Sequence, residues 1–531
     1  MTSPTTNPVA ELHAARRNHW NTWVDTHAEM NPDGEALRYL GRATTWSGLA
    51  ERRSLVADAL ARRGITRGDR VMLITLNTPE FVEAVLGINR LGAIAVPVNF
   101  RLTPGEIAYL VRDAAPKVVV TDVLLAPLVG AIRALGDEPG EHLVIGGASG
   151  TEGQTSYADA LAEGGEPHPP VDVPEESTAL IMYTSGTTGR PKGAMLSYEN
   201  LTAQSLTCIR VFRLFEEEGR ALCAAPMFHI AAIGSIAPSL QLGGVTVVHP
   251  LQAFDPALLL DALEAEQITS VFLVPVQWQA VCAEQQARPR NLVLRNISWG
   301  AAPSTDTILR AMAETFPDAL NCAVFGQTEM SPITCALDGD DAIRKLGSVG
   351  KVIPTLQARV IDAFGEAVGP GEVGEIVYRG PTTMSGYWNK PAETAEAFEG
   401  GWFHSGDLVR MDDEGFVYVV DRKKDMIISG GENIYCAEVE NVIAGHPRIR
   451  EVAVIGRKDE HWGEVPVAVI AQHAGDGVAD LTLDELNGWL RDKLAGFKLP
   501  KHLVHVEELP RNASGKVVKG RLRSEHGTVG V

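Results

Sequence analysis

Hydrophobic and polar positions alternate along the first 147 residues with the two spacings that are typical of helices and strands. Apolar residues recur at helical spacing in 46–63, 79–91 and 104–113, and short apolar runs separate these segments at 70–76, 93–98 and 117–121. Amphipathic segments between short apolar runs indicate βα units whose strands are parallel and buried. The pattern therefore predicts an α/β fold for this part of the chain.

A polar connection at 147–177 interrupts this pattern, which then resumes. Short apolar runs predict strands at 178–182, 221–225, 245–249, 269–273, 294–299 and 320–325, and amphipathic stretches predict helices at 256–266, 277–286 and 305–316. No short-period repeat is present. We expect these elements to extend the α/β layers of one large domain.

Beyond residue 347 the strands become short and are separated by glycine and acidic turns, with apolar runs at 357–362, 374–378 and 416–420. Short strands separated by such turns predict a β subdomain. The charged strip 421–425 separates it from a last part of about a hundred residues, which is enough for a small domain. We expect an N-terminal domain at 1–421, a hinge at 422–426 and an α+β domain at 427–531.

The composition indicates where in the cell the protein is expected and which classes of partner it is not expected to bind. The 531 residues are 45% hydrophobic and 21% charged, and no apolar run approaches the roughly 18 residues of a membrane span. The first 20 residues lack the apolar core of a signal peptide. We therefore expect a cytoplasmic protein, with peripheral membrane contact allowed. The formal charge of −20 argues against nucleic-acid binding.

Six scattered cysteines form no CxxC pair and have no histidines nearby at metal-binding spacing. We expect them to be free, buried thiols. One region departs from the acidic balance, because 491–523 holds nine Lys or Arg against three acidic residues. Charge alone fits either an anion-binding surface or a solvated basic face.

The stretch 183–195 (YTSGTTGRPKGAM) combines three threonines, one serine, three glycines, an arginine and a lysine. It follows the apolar run 178–182 and leads towards a helix start at Ser197, so we interpret it as strand, flexible loop and helix. Backbone N–H groups, hydroxyls and cations that converge in this way suit a polyphosphate. It is not a Walker A loop, because Lys192 follows Pro191. The alternative is a glycine-rich surface turn.

Residues 325–330 (FGQTEM) end a predicted strand. Ligands in open α/β sheets bind beyond the carboxyl ends of strands, so Thr328 and Glu329 are expected to face the same crevice as the loop. Glu329 offers an oxygen ligand for Mg²⁺. Read alone, an acidic strand end is more often a capped turn.

Three later clusters fit the same scheme. Asp407 follows a Ser-Gly turn and suits a ribose diol, although an Asp in a turn is the simpler alternative. The paired glycines at 430–431 permit close approach of a ligand, or form an ordinary turn. Lys516 lies on a Ser-Gly loop in the basic tail, where it could stabilise phosphoryl charge, although most surface lysines are inert.

The order and wording of five stretches resemble the adenylate-forming superfamily, which contains acyl-CoA synthetases, adenylation domains of peptide synthetases and beetle luciferases. The matching stretches are 183–195, 325–329, 401–408, 421–433 and 510–516. The resemblance covers almost the whole chain, and within it the sequence is most similar to bacterial fatty-acyl-CoA ligases, particularly those of actinobacteria.

This resemblance implies a reaction in two steps. A carboxylate attacks the α-phosphate of ATP to give acyl-AMP and pyrophosphate, and the thiol of CoA then displaces AMP. The first step joins two anions, so the phosphate loop, Mg²⁺ and Lys516 are expected to neutralise charge. ATP, Mg²⁺ and CoA are the implied cofactors, and a fatty acid of medium or long chain is the expected acid. We also expect a homodimer.

The resemblance implies a nucleotide site built from the residues that match its motifs. Phe325 is expected to stack on the adenine where many relatives carry Tyr, and Thr328 is expected to contact the α-phosphate. The other implied ATP and AMP contacts are Thr184, Ser185, Gly186, Thr187, Thr188, Gly189, Lys192, Gly300, Ala301, Ala302, Gly326, Gln327, Asp407 and Arg422. Glu329 is the implied Mg²⁺ ligand.

The resemblance also implies a C-terminal domain that rotates about Lys424 between the two steps. This rotation withdraws Lys516, the adenylation lysine, and brings forward Gly430, Gly431 and Glu432, which face CoA. His229 in Pro226-Met-Phe-His-Ile230 is the implied contact of the acid, although a satisfied core histidine is a real alternative. The other expected pocket walls are Trp278, Trp299, Gln327 and Met330. Trp278 is bulkier than expected, which leaves the depth of the pocket open.

Three rival functions remain at this point. An acyl-AMP ligase would hand its adenylate to a carrier protein, but such relatives often carry a blocking insertion, and none is evident between 325 and 424. A CoA ligase for an aromatic or steroid-derived acid is the second. A catalytically silent nucleotide-binding protein is the third, and it fits poorly with the intact Lys192, Glu329, Asp407 and Lys516.

Overall fold

The structure of the protein is a computed structural model. It describes residues 17–148, 152–165, 167–169, 171–184, 190–214, 219–302, 304–473, 480–511 and 517–527. The described residues divide into two compact units. Unit 1 falls within Met1–Gly186, Arg190–Gln357 and Tyr378–Phe403, and unit 2 within Thr187–Gly189, Ala358–Val377 and His404–Val531. The domain limits expected from the sequence, with a hinge at 422–426, stay a prediction.

The strands are numbered in chain order. They are β1 Glu35–Tyr39, β2 Arg42–Thr45, β3 Arg70–Ile74, β4 Ile94–Pro97, β5 Val118–Asp122, β6 Glu141–Ile145, β7 Thr155–Ser156, β8 Thr178–Thr184, β9 Lys192–Ser197, β10 Arg220–Cys223, β11 Val245–Val248, β12 Ser270–Leu273, β13 Asn296–Gly300, β14 Leu320–Gly326, β15 Ile333–Leu337, β16 Gly350–Val352, β17 Gln357–Ile361, β18 Val373–Arg379, β19 Gly386–Tyr387, β20 Phe403–Met411, β21 Phe416–Arg422, β22 Ile427–Ser429, β23 Glu432–Ile434, β24 Ile449–Asp459, β25 Gly463–Gln472 and β26 His502–His505.

The α-helices lie between these strands, and several begin at residues whose side chains cap the first turn. Thr103 and Ser197 each accept a hydrogen bond from the backbone three residues on, which satisfies a helix N–H group that has no partner within the helix. The helices are Trp20–Met30, Trp46–Arg62, Pro79–Arg90, Pro104–Ala114, Ala126–Ala134, Tyr157–Ala162, Tyr198–Val211, Ile230–Leu242, Pro256–Ala265, Pro275–Ala287, Asp306–Thr315, Gly339–Arg344, Pro391–Ala397, Cys436–Ala444, Leu483–Leu490 and Lys519–His526.

Unit 1 contains one sheet in the order β19-β9-β8-β4-β3-β5-β6-β7. The strands from β8 to β7 pair in parallel, whereas β9 is antiparallel to both β8 and β19. Apolar residues of these strands and of helix Pro104–Ala114 form a buried core that includes Met72, Val96, Ile107 and Ile181. This arrangement confirms the buried parallel strands that the hydrophobic pattern predicts.

A second run of strands in unit 1 has the order β16-β15-β14-β13-β12-β10-β11-β1-β2. Strands β14, β13, β12, β10, β11 and β1 pair in parallel in that sequence, with antiparallel strands at both ends. Since parallel strands share one carboxyl edge, the residues that follow β10, β12, β13 and β14 lie along the same edge.

The carboxyl ends of the two sheets of unit 1 meet. Asn77, which follows β3, donates to the carbonyl oxygens of Ala225 at 2.9 Å and His249 at 3.2 Å, which follow β10 and β11. Phe100, which follows β4, packs edge-on against Phe228 with a centroid separation of 5.4 Å. The meeting of two carboxyl edges marks the crevice where a ligand site is expected.

Unit 2 contains strands in the order β17-β18-β20-β21 and a second sheet with the order β23-β22-β25-β24, to which β26 adds in parallel beside β25. The helix Cys436–Ala444 packs on this second sheet through a core that includes Ile427, Val439, Val454 and Ile470. These elements agree with the β-rich segments predicted beyond residue 347 and with the predicted α+β C-terminal part.

Three local predictions need correction. The phosphate loop does not lead directly into a helix, because Lys192 to Ser197 form β9, which pairs with β8 before the helix begins at Tyr198. The connection 147–177 contains β7 and the helix Tyr157–Ala162. Asp407 lies inside β20 rather than in a turn.

All six cysteines are buried and none is in a disulfide, as the sequence predicts. Burial raises the pKa of the thiols of Cys208, Cys223 and Cys322 to about 12. These thiols therefore behave as small apolar core groups. Among the helices of the described residues, none combines the length and apolarity needed to cross a membrane.

Candidate active site

Four segments that the sequence singles out lie on the carboxyl edge of one sheet of unit 1. They are 226–229 after β10, 275–278 after β12, 300–302 at the end of β13 and 325–329 at the end of β14. The parallel order of the strands therefore places segments that are up to about a hundred residues apart in the sequence along the same edge. The structure brings these predicted site residues to one edge because each follows a strand.

Glu329 is the centre of the polar part of this edge. It lies in a single 3₁₀ turn, Thr328–Met330, directly after β14, and is only 7% exposed. Its Oε1 accepts a hydrogen bond from Thr184 Oγ1 at 3.0 Å and another from the hydroxyl of Tyr387 at 3.2 Å. Two donors fix the carboxylate, and charge-assisted hydrogen bonds of this kind are stronger than neutral ones.

Tyr387 is a partner of Glu329 that the sequence does not reveal. It lies in β19, which pairs with β9, and burial followed by the neighbouring Glu329 charge raises the pKa of its hydroxyl far above the usual value. The phenol therefore stays protonated and donates to the carboxylate. A Gly-Tyr pair 58 positions after Glu329 carries no sequence signal of this contact.

The glycine-rich loop meets Glu329 through its two stems. Thr184 and Lys192 face each other in the β8–β9 hairpin, and Lys192 Nζ lies 5.1 Å from the centroid of the Tyr387 ring. A hydroxyl, an ammonium group and a carboxylate thus meet around one tyrosine. The other implied phosphate contacts, Ser185, Gly186, Thr187, Thr188 and Gly189, lie outside the described residues.

The chemistry of these groups fits a magnesium ion. Mg²⁺ prefers oxygen ligands and is usually held by one or two carboxylates together with phosphates and water. Glu329 supplies the carboxylate and Thr184 a hydroxyl oxygen. Within the described ranges, no group of three or more His, Cys, Asp or Glu side chains could hold a metal by itself. Glu329 could therefore hold Mg²⁺ together with a nucleotide, and its role as the metal ligand stays a prediction.

The implied adenine contacts lie at the ends of β13 and β14. Gly300 is buried, and a Cβ atom there would overlap the backbone carbonyl of Val324. Ala301 is exposed with φ of 63°, so it turns the chain out of the sheet. Phe325 is half-buried, and the backbone N–H of Gln327 donates to Pro332 at 3.0 Å. The backbone here is fixed, and the assigned adenine contacts, with Ala302 and Gly326, stay predictions.

His229 precedes the helix Ile230–Leu242 and packs against Phe228 with a centroid separation of 4.6 Å. Asn77 holds this segment in place, because its Oδ1 accepts from the backbone N–H of Met227 at 2.9 Å while its Nδ2 donates to two carbonyl groups. Sequence reasoning missed Asn77, although an Asn that directly follows the apolar run 70–76 is a signal that could have identified it.

Three further candidate pocket residues are buried. Trp278 is fully buried, its ring packs against Phe316 with a centroid separation of 5.7 Å, and its Nε1 donates to the carbonyl of Ser298 in β13 at 3.0 Å. Trp299 donates to Asn321 Oδ1 at 2.9 Å, and Met330 is fully buried. Their contacts fix these side chains, and their roles as pocket walls stay predictions.

In unit 2, Asp407 and Arg422 face each other across the antiparallel strands β20 and β21. Arg422 Nε lies 2.6 Å from Asp407 Oδ1, and the Asp407 side chain is almost fully buried while Arg422 is partly exposed. Gly406, with φ of 70°, bends the strand just before the carboxylate. The geometry brings together the two residues that the resemblance assigns to the ribose.

Glu375 of β18 supports this pair from the neighbouring strand. It accepts hydrogen bonds from Gly406 N–H at 2.9 Å and Lys423 Nζ at 2.9 Å, and His404 Nδ1 lies 3.1 Å away. Burial raises the pKa of Glu375, but these three partners outweigh burial and leave its pKa below the ordinary value.

We expect Glu375→Gln to destabilise the protein in a pH-dependent way. A carboxyl group whose pKa is lowered by folding stabilises the fold above its unfolded pKa of about 4.3, and this stabilisation is lost as the pH falls through the lower folded pKa. The variant should therefore melt at a lower temperature near neutral pH, and the gap to the wild type should close at acidic pH. Thermal melts across that pH range measure it. Glu366→Gln, at an exposed position of unit 2, is the control.

The remaining candidates lie in the last part of unit 2. Lys424 is exposed. Gly430 and Gly431 have φ of 59° and 88°, and a Cβ atom on Gly430 would meet the Trp462 ring whereas one on Gly431 would meet nothing within 4 Å. Glu432 is exposed at the start of β23. Lys516 lies outside the described residues.

Comparisons with known proteins identify relatives over nearly the whole length. The family profile described as "AMP-binding enzyme" matches residues 24–388, and "AMP-binding enzyme C-terminal domain" matches 438–516. A feruloyl-CoA synthase of Amycolatopsis sp is 40% identical, covering 96% of this chain and 100% of the relative. A long-chain-fatty-acid–CoA ligase of Mycobacterium tuberculosis is 35% identical, covering 88% of this chain and 90% of the relative.

Among solved structures, o-succinylbenzoate CoA synthetase from Bacillus subtilis in complex with its acyl-adenylate intermediate is similar in fold. The TM-score is 0.83 at 29% sequence identity, covering 94% of this chain and 97% of that chain. This likeness confirms the predicted fold class, a large α/β N-terminal part followed by a small α+β C-terminal part.

Proposed function

This chain belongs to the family of AMP-binding enzymes, and on that basis we propose that it joins an aromatic carboxylic acid to coenzyme A. The general activity, an AMP-forming acid–CoA ligase, follows from its relatives, and ATP, Mg²⁺ and CoA are what such ligases use. The proposal concerns the acid.

Two balanced steps make up this activity. In the first, a carboxylate oxygen forms a bond to the α-phosphorus of ATP while the bond to the β-phosphate oxygen breaks, which gives acyl-AMP and pyrophosphate. In the second, the sulfur of CoA forms a bond to the acyl carbon, its proton leaves to the medium, and AMP departs with the former carboxylate oxygen. Each step requires stabilisation of phosphate charge.

Residues of unit 1 serve the first step in our proposal. Lys192 and the Thr184 hydroxyl bind the phosphates, with the loop between them supplying backbone N–H groups. Glu329, fixed by Thr184 and Tyr387, binds Mg²⁺. The ion, when bound, neutralises charge on the phosphates, and this weakens the repulsion between the two anions.

We assign ribose binding, and the change from the first step to the second, to residues of unit 2. We propose that Asp407 accepts hydrogen bonds from the ribose diol while Arg422 holds the carboxylate in place. Lys516 serves adenylation, Lys424 lies at the hinge, and the glycines at 430–431 admit the pantetheine arm of CoA. These assignments rest on the motif resemblance.

The proposal of an aromatic acid rests on the segment 226–229, which we expect to face the acid. Phe228 is buried, Phe100 packs against it edge-on, and the centroid of the His229 ring lies 4.6 Å from that of Phe228. Asn77 holds the backbone beneath Phe228 with a hydrogen bond of 2.9 Å to the Met227 N–H. A rigid group of rings favours a flat ring as its ligand, because aromatic pairs gain from edge-to-face and offset contact.

The relatives support the same acid class. The feruloyl-CoA synthase is more similar, at 40% identity, than the long-chain-fatty-acid–CoA ligase, at 35%. The similar solved structure from Bacillus subtilis is a CoA synthetase for o-succinylbenzoate, which also carries an aromatic ring. A fatty acid of medium or long chain, which the sequence resemblance implies, becomes the second candidate, and the 35% identical ligase supports it.

An acyl-AMP ligase that delivers to a carrier protein stays as a third candidate. The family profiles match both parts of the chain, and the relatives named above are all CoA ligases. The homodimer, the peripheral membrane contact and the cytoplasmic location stay predictions.

A panel of acids tests the proposal. Fatty acids from about two to about twenty-four carbons and aromatic acids with a short acidic side chain are compared by kcat/KM, scored both for pyrophosphate release and for CoA thioester. We expect a hydroxycinnamic-type acid to exceed every fatty acid by about tenfold or more, with thioester equal to pyrophosphate.

Two results would contradict this expectation. Higher kcat/KM for a fatty acid would replace the aromatic acid by the second candidate. Pyrophosphate release without thioester, for any acid, would favour delivery to a carrier protein. An Asn77→Ala variant should reduce the preference between the two acid classes, since the backbone beneath Phe228 loses its hydrogen bond.

A further inference from the structure

One helix holds both stems of the glycine-rich loop. Asp113, near the end of helix Pro104–Ala114, accepts a hydrogen bond on Oδ2 from the hydroxyl of Tyr183 at 2.7 Å, just before the loop. Tyr109, one turn earlier, donates to the carbonyl of Pro191 at 3.3 Å, and Arg190 lies over its ring at 5.7 Å. Positions four apart share one helix face, so this face contacts both stems.

The same aspartate also holds the segment that follows β19. Its Oδ1 pairs with Lys390 Nζ at 3.0 Å, and its backbone carbonyl accepts from Trp388 Nε1 at 3.1 Å and from Asn389 Nδ2 at 3.0 Å. The Asp113 side chain is only 7% exposed. Asp113 therefore joins two chain segments that are far apart in the sequence.

These two segments both donate to Glu329. Thr184 follows Tyr183 directly, and Tyr387 precedes Trp388 directly, and both hydroxyls bind Glu329 Oε1. The backbone N–H of Trp388 also donates to the carbonyl of Gly193 at 2.8 Å. The contacts form a closed ring that runs from Asp113 through one segment to Glu329 and back through the other.

We propose that Asp113 is a positioning residue for the phosphate and magnesium site, which it builds by fixing the two segments that hold Glu329. Asp113 does not contact ATP. It sets the distance between the stem of the phosphate loop and the segment of Tyr387. The inference rests on the proposed roles of Glu329 and Lys192, and it does not depend on which acid is used.

A buried, multiply bonded carboxylate suits this role better than a surface ion pair would. Exposed pairs contribute little because water screens them, whereas a buried carboxylate that is removed leaves several donors unsatisfied. The hydroxyl of Tyr183 donates to the Asp113 carboxylate at 2.7 Å, and the ammonium group of Lys390 lies 3.0 Å from its other oxygen. Removal of the Asp113 carboxylate therefore takes away one acceptor from each segment, that of the Tyr183 hydroxyl and that of the Lys390 ammonium group, while the two bonds to the backbone carbonyl of residue 113 remain.

The test uses Asp113→Ala and Asp113→Asn in the full-length protein. The readouts are the MgATP concentration that gives half-maximal pyrophosphate release, the conversion of pre-made acyl-AMP to thioester, and the melting temperature. For Asp113→Ala we expect the half-saturating MgATP concentration to rise about tenfold or more, while conversion of acyl-AMP stays within about twofold. Asp113→Asn keeps one acceptor and should lie between wild type and Asp113→Ala.

Asp137→Ala is a matched control. The Asp137 side chain is 10% exposed, against 7% for Asp113. It pairs at 2.6 Å with Arg112, which lies in the same helix as Asp113, and this contact does not involve the loop. It should leave half-saturation by MgATP unchanged. Tyr183→Phe removes only the loop contact of Asp113 and should show a smaller rise than Asp113→Ala.

Two outcomes would overturn the proposal. One is a folded Asp113→Ala with wild-type half-saturation by MgATP. The other is an equal loss of both half-reactions together with a lower melting temperature, which is the behaviour of a residue that only supports the fold. The assay uses whichever acid releases most pyrophosphate, so failure of the aromatic-acid proposal leaves this test intact.

Discussion

Glu329→Gln will reduce acid-dependent pyrophosphate release by roughly a hundredfold to a thousandfold, the size of effect seen when one charge-stabilising group is removed from a reaction centre. Glutamine has nearly the same shape, and its Oε1 can still accept from Thr184 and Tyr387. It lacks the negative charge of the carboxylate through which Mg²⁺ is usually bound. The loss should therefore occur with little change of structure, and excess Mg²⁺ should recover part of the rate.

Pyrophosphate release measured against Mg²⁺ concentration checks this prediction. Glu83→Gln is a suitable control, because Glu83 is also buried in unit 1 but pairs with Arg52 away from the loop. It should change stability and leave the Mg²⁺ dependence unaltered. A folded Glu329→Gln with wild-type Mg²⁺ dependence would remove Glu329 from the metal site.

The sequence predicts the positions of the site residues well wherever a parallel strand ends. Thr328 and Glu329 follow β14, and His229 follows β10, and the parallel order alone brings them to one edge. The strand and helix runs between residues 46 and 325 agree with the observed elements to within a few residues. This success has a simple cause, since buried parallel strands give continuous apolar runs that local sequence reveals.

Local sequence fails where distant contacts decide the structure. Residues 192–197 (KGAMLS) contain a glycine and an alanine and few strand-forming side chains, yet they form β9 because β8 and β19 pair on either side. Ser405 and Gly406 give a turn signal, but Gly406 adopts its positive φ within a strand, and its N–H binds Glu375. Tertiary hydrogen bonds override the local preference in both places.

The partners that complete the site also lie beyond the reach of local sequence. Tyr387, Asp113 and Asn77 act through contacts with residues 58 to 277 positions away. The fatty-acid expectation has a related weakness. The five motifs that carry the resemblance are expected to bind nucleotide, metal and CoA, so they indicate the reaction type and leave the acid undetermined. In our proposal, specificity for the acid depends on residues such as Phe100 and Phe228, which belong to none of these motifs.

Lys516→Ala and Gly431→Leu will separate the two half-reactions. Without the lysine, pyrophosphate release should fall about a hundredfold or more, because one cation near the developing phosphate charge is lost, while pre-made acyl-AMP is still converted to thioester. Gly431→Leu should behave in the opposite way. A built Cβ on Gly431 meets no atom within 4 Å, so a leucine there occupies open space in which the pantetheine arm is expected. Separate assays of the two half-reactions measure both effects.

Backbone strain is the competing cause for Gly431→Leu, because φ of 88° disfavours any residue with a Cβ. Gly415→Leu controls for it: Gly415 has φ of 83°, also lies in unit 2, and has no atom within 4 Å of a built Cβ. If both leucine variants lose thioester formation, strain is the cause and the CoA assignment fails. If only Gly431→Leu loses it, blocked access of the thiol is the cause. A folded Lys516→Ala that loses both half-reactions would likewise contradict a role confined to adenylation.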